Sequence, residues 1–280
     1  MSSRLATALL LALVLPVTGC ITIPVSERDF LFPDAPTHGF DELVPFHQIH
    51  DLELERSDGT VLGGHAIQRP GADAVVLFFG GNMYRTRREA PWVAHSFAPL
   101  SVDVITFDHR GYGRSDGQPD MENLRADAVA LVEFARDWAD DRPLIIHGHS
   151  LGSFIAAAAV AELDAPPEGL VLEATAPDAA AVMRAGVPLL ARPFIRIQPS
   201  EGMRAVDNRP AVVDREQPLL VLAGGQDRQF APRLGRELAE LAPGEAVRFV
   251  EIERAGHNNI RRHPEFRESY RWLLAELAGD

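Results

Sequence analysis

The sequence predicts an α/β fold with a mostly parallel, doubly wound sheet of about eight strands that begins with an antiparallel hairpin. Short apolar runs recur along the chain from residue 74 onwards, each followed by glycine or polar residues and then a helical stretch. Before them, residues 47–55 and 61–69 alternate in polarity on either side of the turn signal Ser-Asp-Gly-Thr at 57–60. Continuous apolar strands that alternate with helices indicate a sheet covered on both faces.

The elements after the hairpin follow from the same pattern. Six apolar runs are predicted to be buried strands, at residues 74–79, 102–107, 143–147, 169–173, 218–223 and 247–252. The clearest helices are predicted at residues 122–138, 151–163, 233–241 and 265–277. Residues 177–213 are irregular and contain proline, so we expect a small excursion from the domain there. The main domain is predicted to span residues 46–280.

Composition excludes several functions. The 280 residues carry a net charge of −13, which argues against a nucleic-acid partner because phosphate binding needs a basic face. There is no lysine, which excludes a Schiff base, a P-loop lysine and a Ser–Lys dyad. No group of His, Cys, Asp and Glu has metal-ligand spacing, so we expect neither a metal nor a cofactor.

The N-terminus is predicted to be a targeting signal. Residues 1–19 combine Arg4 with an apolar run from Leu5 to Val17, which is too short to span a bilayer as a helix. The following Val-Thr-Gly-Cys resembles the lipobox of bacterial lipoproteins, which implies lipidation at Cys20, the only cysteine. An ordinary secretory signal and an uncleaved anchor are the alternatives. The resemblance implies a lipid-anchored protein on the periplasmic side of a bacterial cell envelope.

The residue after the cysteine indicates which membrane would carry the lipid-anchored protein. Ile21 stands where Asp would resemble an inner-membrane retention signal, so the outer membrane is favoured. Residues 20–45 contain several prolines and mixed polarity, and we expect them to be a tether between the lipid and the domain.

The strongest chemical signal is a Gly-x-Ser-x-Gly motif at residues 148–152. It follows the predicted strand 143–147 directly and opens an alanine-rich helix, which is the strand–turn–helix context that gives the motif meaning. A tight turn places the Ser150 hydroxyl above the sheet at a helix N-terminus, where the dipole favours developing negative charge. The flanking glycines avoid collisions that side chains would create. Ser150 is therefore predicted to be a nucleophile.

With this motif in place, residues 46–280 resemble the α/β-hydrolase superfamily, and within it the Bem46-like, small-capped branch of serine hydrolases. The resemblance implies the chain order serine, acid, histidine. Only His257 follows the last predicted strand in a glycine loop, Ala-Gly-His-Asn-Asn, and it is the expected base. His263 is a rival, although the proline after it is typical of a helix start.

Two residues compete for the acid that orients the histidine. Asp227 ends the segment Gly-Gly-Gln-Asp after strand 218–223, which resembles the family's strand–Gly–x–x–Asp pattern, and it is the preferred acid. Asp178 follows strand 169–173, where some relatives place the acid, and it remains the alternative.

The resemblance also implies an oxyanion hole. Leu151 directly follows the nucleophile, and its backbone N–H is the first expected donor. Residues 80–83, Gly-Gly-Asn-Met, resemble the family's His-Gly-Asn turn, so the backbone N–H of Asn82 is the second. Gly80 replaces the usual histidine, but backbone donors do not depend on that side chain.

These residues predict a serine hydrolase that cleaves ester or thioester bonds through an acyl-serine intermediate. The partners would be a small-molecule or lipid ester and, through Cys20, a membrane. The alternatives are amide or peptide hydrolysis on the same fold and a catalytically silent envelope lipoprotein. Nothing in the sequence identifies the natural substrate.

Overall fold

The computed structural model describes residues 21–33 and 48–279. The predicted signal peptide, residues 1–19, and the predicted lipidation site Cys20 lie outside the described residues. Within the described ranges, no helix has the length and apolar character needed to span a bilayer.

The main sheet has eight strands, as the sequence predicts, and a separate pair of strands lies outside it. In chain order the ten strands are β1 (Ile21–Val25), β2 (Gln48–Glu55), β3 (Val61–Gln68), β4 (Ala74–Phe79), β5 (Val102–Phe107), β6 (Leu144–His149), β7 (Gly169–Glu173), β8 (Ile195–Pro199), β9 (Leu219–Gly224) and β10 (Val247–Ile252). The order in the main sheet is β10-β9-β7-β6-β4-β5-β3-β2. Strand β3 is antiparallel to β2 and β5, while all other neighbours are parallel.

Seven α-helices accompany the strands in the described residues. They are α1 (Thr86–Phe97), α2 (Met121–Ala139), α3 (Leu151–Glu162), α4 (Ala179–Ala185), α5 (Glu201–Arg204), α6 (Pro232–Ala239) and α7 (Pro264–Ala278). Helix α1 was not among the predicted helices. It begins with charged residues and contains Pro91, which weakens the local signal, yet its Val93 and Phe97 are buried.

The central strands are buried on both faces. Alternate side chains of β4 point to opposite sides, so that Val75 and Leu77 join one core while Val76 and Phe78 join the other. Helices α2, α3 and α6 cover the first core, and α1 and α7 cover the second. This is the doubly wound arrangement, and the predicted fold class is confirmed.

Residues 177–213, which we call the cap, contain α4, a 3₁₀ turn at Leu189–Phe194, β8 and α5. Strand β8 pairs in parallel with β1, with Ile21 opposite Ile195 and Val25 opposite Pro199.

The pairing of β1 corrects one expectation. Residues 21–33, which we call the N-terminal strap, pack on the domain, whereas the sequence predicted a tether across residues 20–45. Local polarity could not reveal this, because the partner strand of β1 lies about 170 residues away in the chain.

Candidate active site

Ser150 occupies the sharp turn between β6 and α3. Its backbone adopts φ 54° and ψ −118°, a region that costs an L-residue on the order of 1–3 kcal/mol. A Cβ on Gly148 would lie 2.4 Å from the carbonyl oxygen of Gly152, and one on Gly152 would lie 2.1 Å from that of Phe79. Neither position can accept a side chain, which is the steric reason for the Gly-x-Ser-x-Gly motif.

The three predicted catalytic side chains form one hydrogen-bonded chain. His257 Nδ1 lies 2.7 Å from Asp227 Oδ2, and His257 Nε2 lies 2.9 Å from Ser150 Oγ. The buried Asp227 carboxylate also accepts the backbone N–H groups of Gln229 at 2.7 Å and Phe230 at 2.8 Å. With Nδ1–H donating to the carboxylate, Nε2 is left to accept the serine proton.

The alternative residues lie elsewhere. Asp178 caps α4 by accepting the N–H of Ala181 at 2.6 Å, and it forms an ion pair with Arg209 at 2.9 Å. His263 immediately precedes the first residue of α7. The structure therefore brings Ser150 together with the preferred acid and base and not with their rivals.

The predicted oxyanion loop passes beside the nucleophile. A Cβ on Gly81 would lie 3.4 Å from the Cβ of Ser150. Leu151 is the first residue of α3, and the first N–H groups of a helix have no carbonyl partner within it. Neither the N–H of Leu151 nor that of Asn82 donates to another backbone carbonyl among the described residues. Both are free to bind an oxygen atom at the nucleophile.

A histidine supports this loop, although it does not come from the expected position. The Nε2 atom of His109 lies 2.9 Å from the carbonyl oxygen of Gly80, and as the donor it fixes the start of the loop. His109 is buried, and burial lowers its pKa, so the ring is neutral near pH 7. Gly80 also needs to be glycine, since a Cβ there would lie 2.0 Å from the ring of Tyr84.

The side chain of Asn82 connects the oxyanion loop to the N-terminal strap. Its Oδ1 accepts the N–H of Phe32 at 3.1 Å and the hydroxyl of Tyr112 at 2.9 Å. Its Nδ2 donates to the carbonyl oxygen of Phe30. The sequence analysis assigned a role to the Asn82 backbone only, and these contacts were missed because they join segments 30 to 52 residues apart in the chain.

Arg85 makes a second connection to the strap. Its guanidinium, almost fully buried, donates to the carbonyl oxygens of Phe32 at 3.0 Å and Pro33 at 2.6 Å. It also lies over the ring of Tyr112, with its central carbon 4.4 Å from the centroid.

A buried ionic cluster lies behind the nucleophile. The fully buried Glu173 accepts from Arg261 at 2.7 Å and from His147 Nε2 at 3.0 Å, while the Tyr270 hydroxyl lies 2.6 Å from His147 Nδ1. Burial alone raises the pKa of Glu173, but the attraction of Arg261 and the two nearby histidines, His147 and His149, outweighs it and holds the pKa below its ordinary value. The carbonyl of Glu173 accepts the backbone N–H of Ser150 at 2.9 Å, so the cluster supports the nucleophile turn.

His149 links the nucleophile turn to the histidine loop. Its Nε2 lies 3.0 Å from the carbonyl oxygen of His257, and a Cβ on Gly81 would lie 3.2 Å from its Nδ1. Burial lowers the pKa of His149 to about 4, against the opposing attraction of Glu173. The neutral ring therefore packs between the Ser150 turn and the His257 loop at neutral pH.

This pKa predicts a pH-dependent loss of stability. Unfolded His149 binds a proton below about pH 6.5 and folded His149 only below about pH 4, so the free energy of unfolding falls as the pH drops through this window. The loss from this residue is on the order of 3 kcal/mol when complete. Urea unfolding between pH 7 and pH 4 measures it.

A variant pair isolates the contribution of this histidine. His149→Gln keeps a donor for the carbonyl of His257 and should reduce the pH dependence by the part due to this residue, leaving the part due to other buried histidines such as His109, while the exposed His50→Gln should leave it unchanged. Equal slopes for the two variants would contradict the assignment.

The chain resembles known proteins over most of its length. A family model described as "Serine aminopeptidase, S33" matches residues 70–217. "Uncharacterized protein MT2364" of Mycobacterium tuberculosis is 31% identical over 255 residues, which cover 88% of this chain and 85% of that protein. "Protein bem46" of Schizosaccharomyces pombe is 24% identical over 159 residues, 53% of each chain.

Two further similarities concern proteins named for hydrolytic activities. "Lysophosphatidylserine lipase ABHD12" of Danio rerio is 39% identical over 77 residues, which cover 26% of this chain and 20% of that protein. The structure of the Pyrococcus furiosus esterase Pf2001 superimposes with a TM-score of 0.63 at 19% identity, covering 89% of this chain and 98% of that one. The second similarity shows the fold alone.

The family match covers more than half of the chain, and it extends through the nucleophile turn. Together with the doubly wound sheet and the geometry at Ser150, these findings show that the chain is an α/β-hydrolase of the family described as serine aminopeptidase S33.

Proposed function

We propose that this α/β-hydrolase is a serine hydrolase that cleaves ester or thioester bonds through an acyl-serine intermediate. The observation that carries the proposal is the hydrogen-bonded chain from Asp227 through His257 to the strained Ser150. A serine hydroxyl is a weak nucleophile until a positioned base removes its proton, and this arrangement supplies the base and orients it.

The reaction follows from the positions of these groups. As Ser150 Oγ attacks the carbonyl carbon, its proton passes to His257 Nε2, and the ionised Asp227 stabilises the resulting imidazolium. The imidazolium then gives the proton to the departing alcohol or thiol, leaving an ester between the acyl group and Ser150. Water then attacks this ester while His257 Nε2 takes its proton. The acid is released, and the imidazolium returns the proton to Ser150 Oγ.

The oxyanion hole would be formed by the backbone N–H groups of Leu151 and Asn82. Negative charge develops on the carbonyl oxygen during each attack, and each preorganised donor contributes about 10²–10³-fold to the rate. The contact of His109 with Gly80 supports the loop that carries Asn82, and thus the position of the second donor.

Ester hydrolysis is preferred because a relative named lysophosphatidylserine lipase is 39% identical over 77 residues, which cover 26% of this chain. Peptide or amide hydrolysis is the second candidate, since the matching family is described as serine aminopeptidase. A catalytically silent protein is disfavoured because all three side chains are present and hydrogen-bonded.

A fluorophosphonate probe tests whether the protein is an active serine hydrolase. We expect the native protein to be labelled at Ser150 and the heat-unfolded protein not to be labelled. Hydrolysis of p-nitrophenyl esters and thioesters, compared with matched anilides, then separates the two candidate activities. A folded sample that takes no label would reject the proposal.

We also propose that the chain is a lipoprotein of the small-capped, Bem46-like branch. Lipidation at Cys20 would hold it on the periplasmic side of a bacterial cell envelope, with the outer membrane favoured, and its substrate would be a small-molecule or lipid ester. Support comes from the lipobox-like Val-Thr-Gly-Cys and from the similarity to bem46. Mass spectrometry of the membrane-extracted protein should find acyl groups at Cys20, and an unmodified cysteine would refute the anchor.

A further inference from the structure

The most exposed large apolar side chains in the described part of the chain lie in one turn of the cap. Leu190 is 89% exposed, Leu189 73% and Phe194 52%. All three belong to the 3₁₀ turn Leu189–Phe194, which we call the apolar turn. Soluble proteins rarely expose several large apolar side chains together without an interaction partner.

The charge around the apolar turn differs from that of the whole chain. Residues 179–200 contain Arg184, Arg192 and Arg196 and no acidic residue, in a chain of net charge −13. All three arginines are exposed, and none forms an ion pair with an acidic residue in the described ranges. The apolar turn therefore lies within a basic patch.

The same three arginines line a groove in the cap. The groove has a volume of about 310 Å³, and its apolar wall is formed by Met183, Val187, Ile195 and Ile197. None of the residues that line it belongs to the catalytic chain of Ser150, His257 and Asp227. An apolar wall beside guanidinium groups that have no carboxylate partner suits an amphiphile with an anionic head.

The N-terminal segment joins the domain beside this surface. Ile21, the first described residue, pairs with Ile195, which directly follows Phe194 in the apolar turn. The residues before Ile21 include the apolar run from Leu5 to Val17 and Cys20. Cys20, the proposed lipid anchor on which this inference rests, directly precedes Ile21 in the sequence, so Ile21 is taken as the attachment point.

We propose that the cap is a membrane-docking surface for a bilayer that contains anionic phospholipids. The apolar turn enters the acyl boundary of the leaflet, and Arg184, Arg192 and Arg196 contact lipid phosphates, with one anionic lipid head in the groove. Apolar side chains combined with arginines are the pattern by which protein segments bind membrane interfaces. A protein partner or a second copy of the chain would account for the apolar turn but gives no reason for arginines without carboxylate partners beside the proposed attachment point.

Tryptophan fluorescence in vesicles tests this surface in the full chain. Leu190→Trp is compared with Leu241→Trp, a control that is also exposed but follows α6 outside the cap. Both proteins are reconstituted into vesicles of phosphatidylethanolamine and phosphatidylglycerol with or without brominated acyl chains. An insertion depth of roughly 5–10 Å should let brominated lipid quench the added signal of Leu190→Trp by about half, while that of Leu241→Trp stays unchanged.

A charge variant tests the role of the arginines. Arg184→Gln is combined with Arg196→Gln in the Leu190→Trp background. The double change should shift the equilibrium towards the undocked cap by about 25-fold, because each arginine near an anionic surface favours docking by about fivefold. Replacing phosphatidylglycerol with phosphatidylcholine removes the anionic lipid and should likewise reduce the quenching of Leu190→Trp.

Two results would overturn the proposal. Equal quenching of the two tryptophan variants would show that the cap does not enter the bilayer. A concentration-dependent dimer in sedimentation, dissociated by Leu190→Ser, would assign the surface to a second copy of the chain. Neither readout involves hydrolysis, so a failure here is distinct from a failure of the proposed catalytic function.

Discussion

Replacing Ser150 with alanine is expected to reduce kcat on an ester substrate by roughly 10⁴–10⁶-fold. The variant keeps the proposed oxyanion donors and the histidine but has no atom to form the proposed acyl intermediate. Alanine removes only the hydroxyl at an already strained position, so the thermal unfolding midpoint should change little. Steady-state hydrolysis of a p-nitrophenyl ester and circular dichroism during heating measure the two expectations.

A neighbouring serine provides the matched control. Ser153 lies one turn along α3, where its buried hydroxyl donates to the carbonyl oxygen of Ser150 at 2.7 Å and lies 3.0 Å from the hydroxyl of Thr175. Ser153→Ala should keep most of the activity, because this hydroxyl has no contact with His257. If Ser153→Ala abolished activity and Ser150→Ala did not, the nucleophile would be wrongly assigned.

The second large effect is expected from Asp227→Asn, which should reduce kcat by about 10⁴-fold. The amide can still accept the backbone N–H groups of Gln229 and Phe230, so the loop keeps its shape. However, the amide presents an N–H to His257 Nδ1 and favours the tautomer in which Nε2 carries the proton. That tautomer cannot accept the proton of Ser150. The pH profile of kcat for both proteins measures the change.

Asp178→Asn separates the two candidate acids. Asp178 caps α4 and pairs with Arg209, but Asn caps a helix about as well as Asp and the ion pair lies at the surface, so this variant should change neither the stability of the cap nor kcat by much. The opposite pattern, with Asp178→Asn inactive and Asp227→Asn active, would move the acid to the alternative position.

The central sheet could be predicted because its signal is local. Strands β4, β5 and β7 have the bounds that their apolar runs predict, since five or six buried residues in succession leave little choice of structure. The candidate site followed from the same signal, because parallel strands place their carboxyl ends at one edge of the sheet. Ser150, Asp227 and His257 each lie shortly after such an end.

The remaining features depend on pairing between distant segments. Strand β1 has no local signal that distinguishes it from a linker, and its partner β8 lies in the cap. The cluster around Glu173 was missed for a similar reason, since His147, Arg261 and Tyr270 come from three separate elements. A buried carboxylate within a strand gives no indication in the sequence of which cations will neutralise it.

The N-terminal strap determines where a working fragment of this protein must start. A truncation at residue 46, the domain boundary that the sequence suggested, would remove two backbone partners of the Asn82 amide and two carbonyl acceptors of the buried Arg85. It would also leave β8 without the strand that pairs with it. The shortest fragment that preserves the oxyanion loop and the cap therefore begins at Ile21, so soluble expression should retain these thirteen residues rather than discard them as a linker.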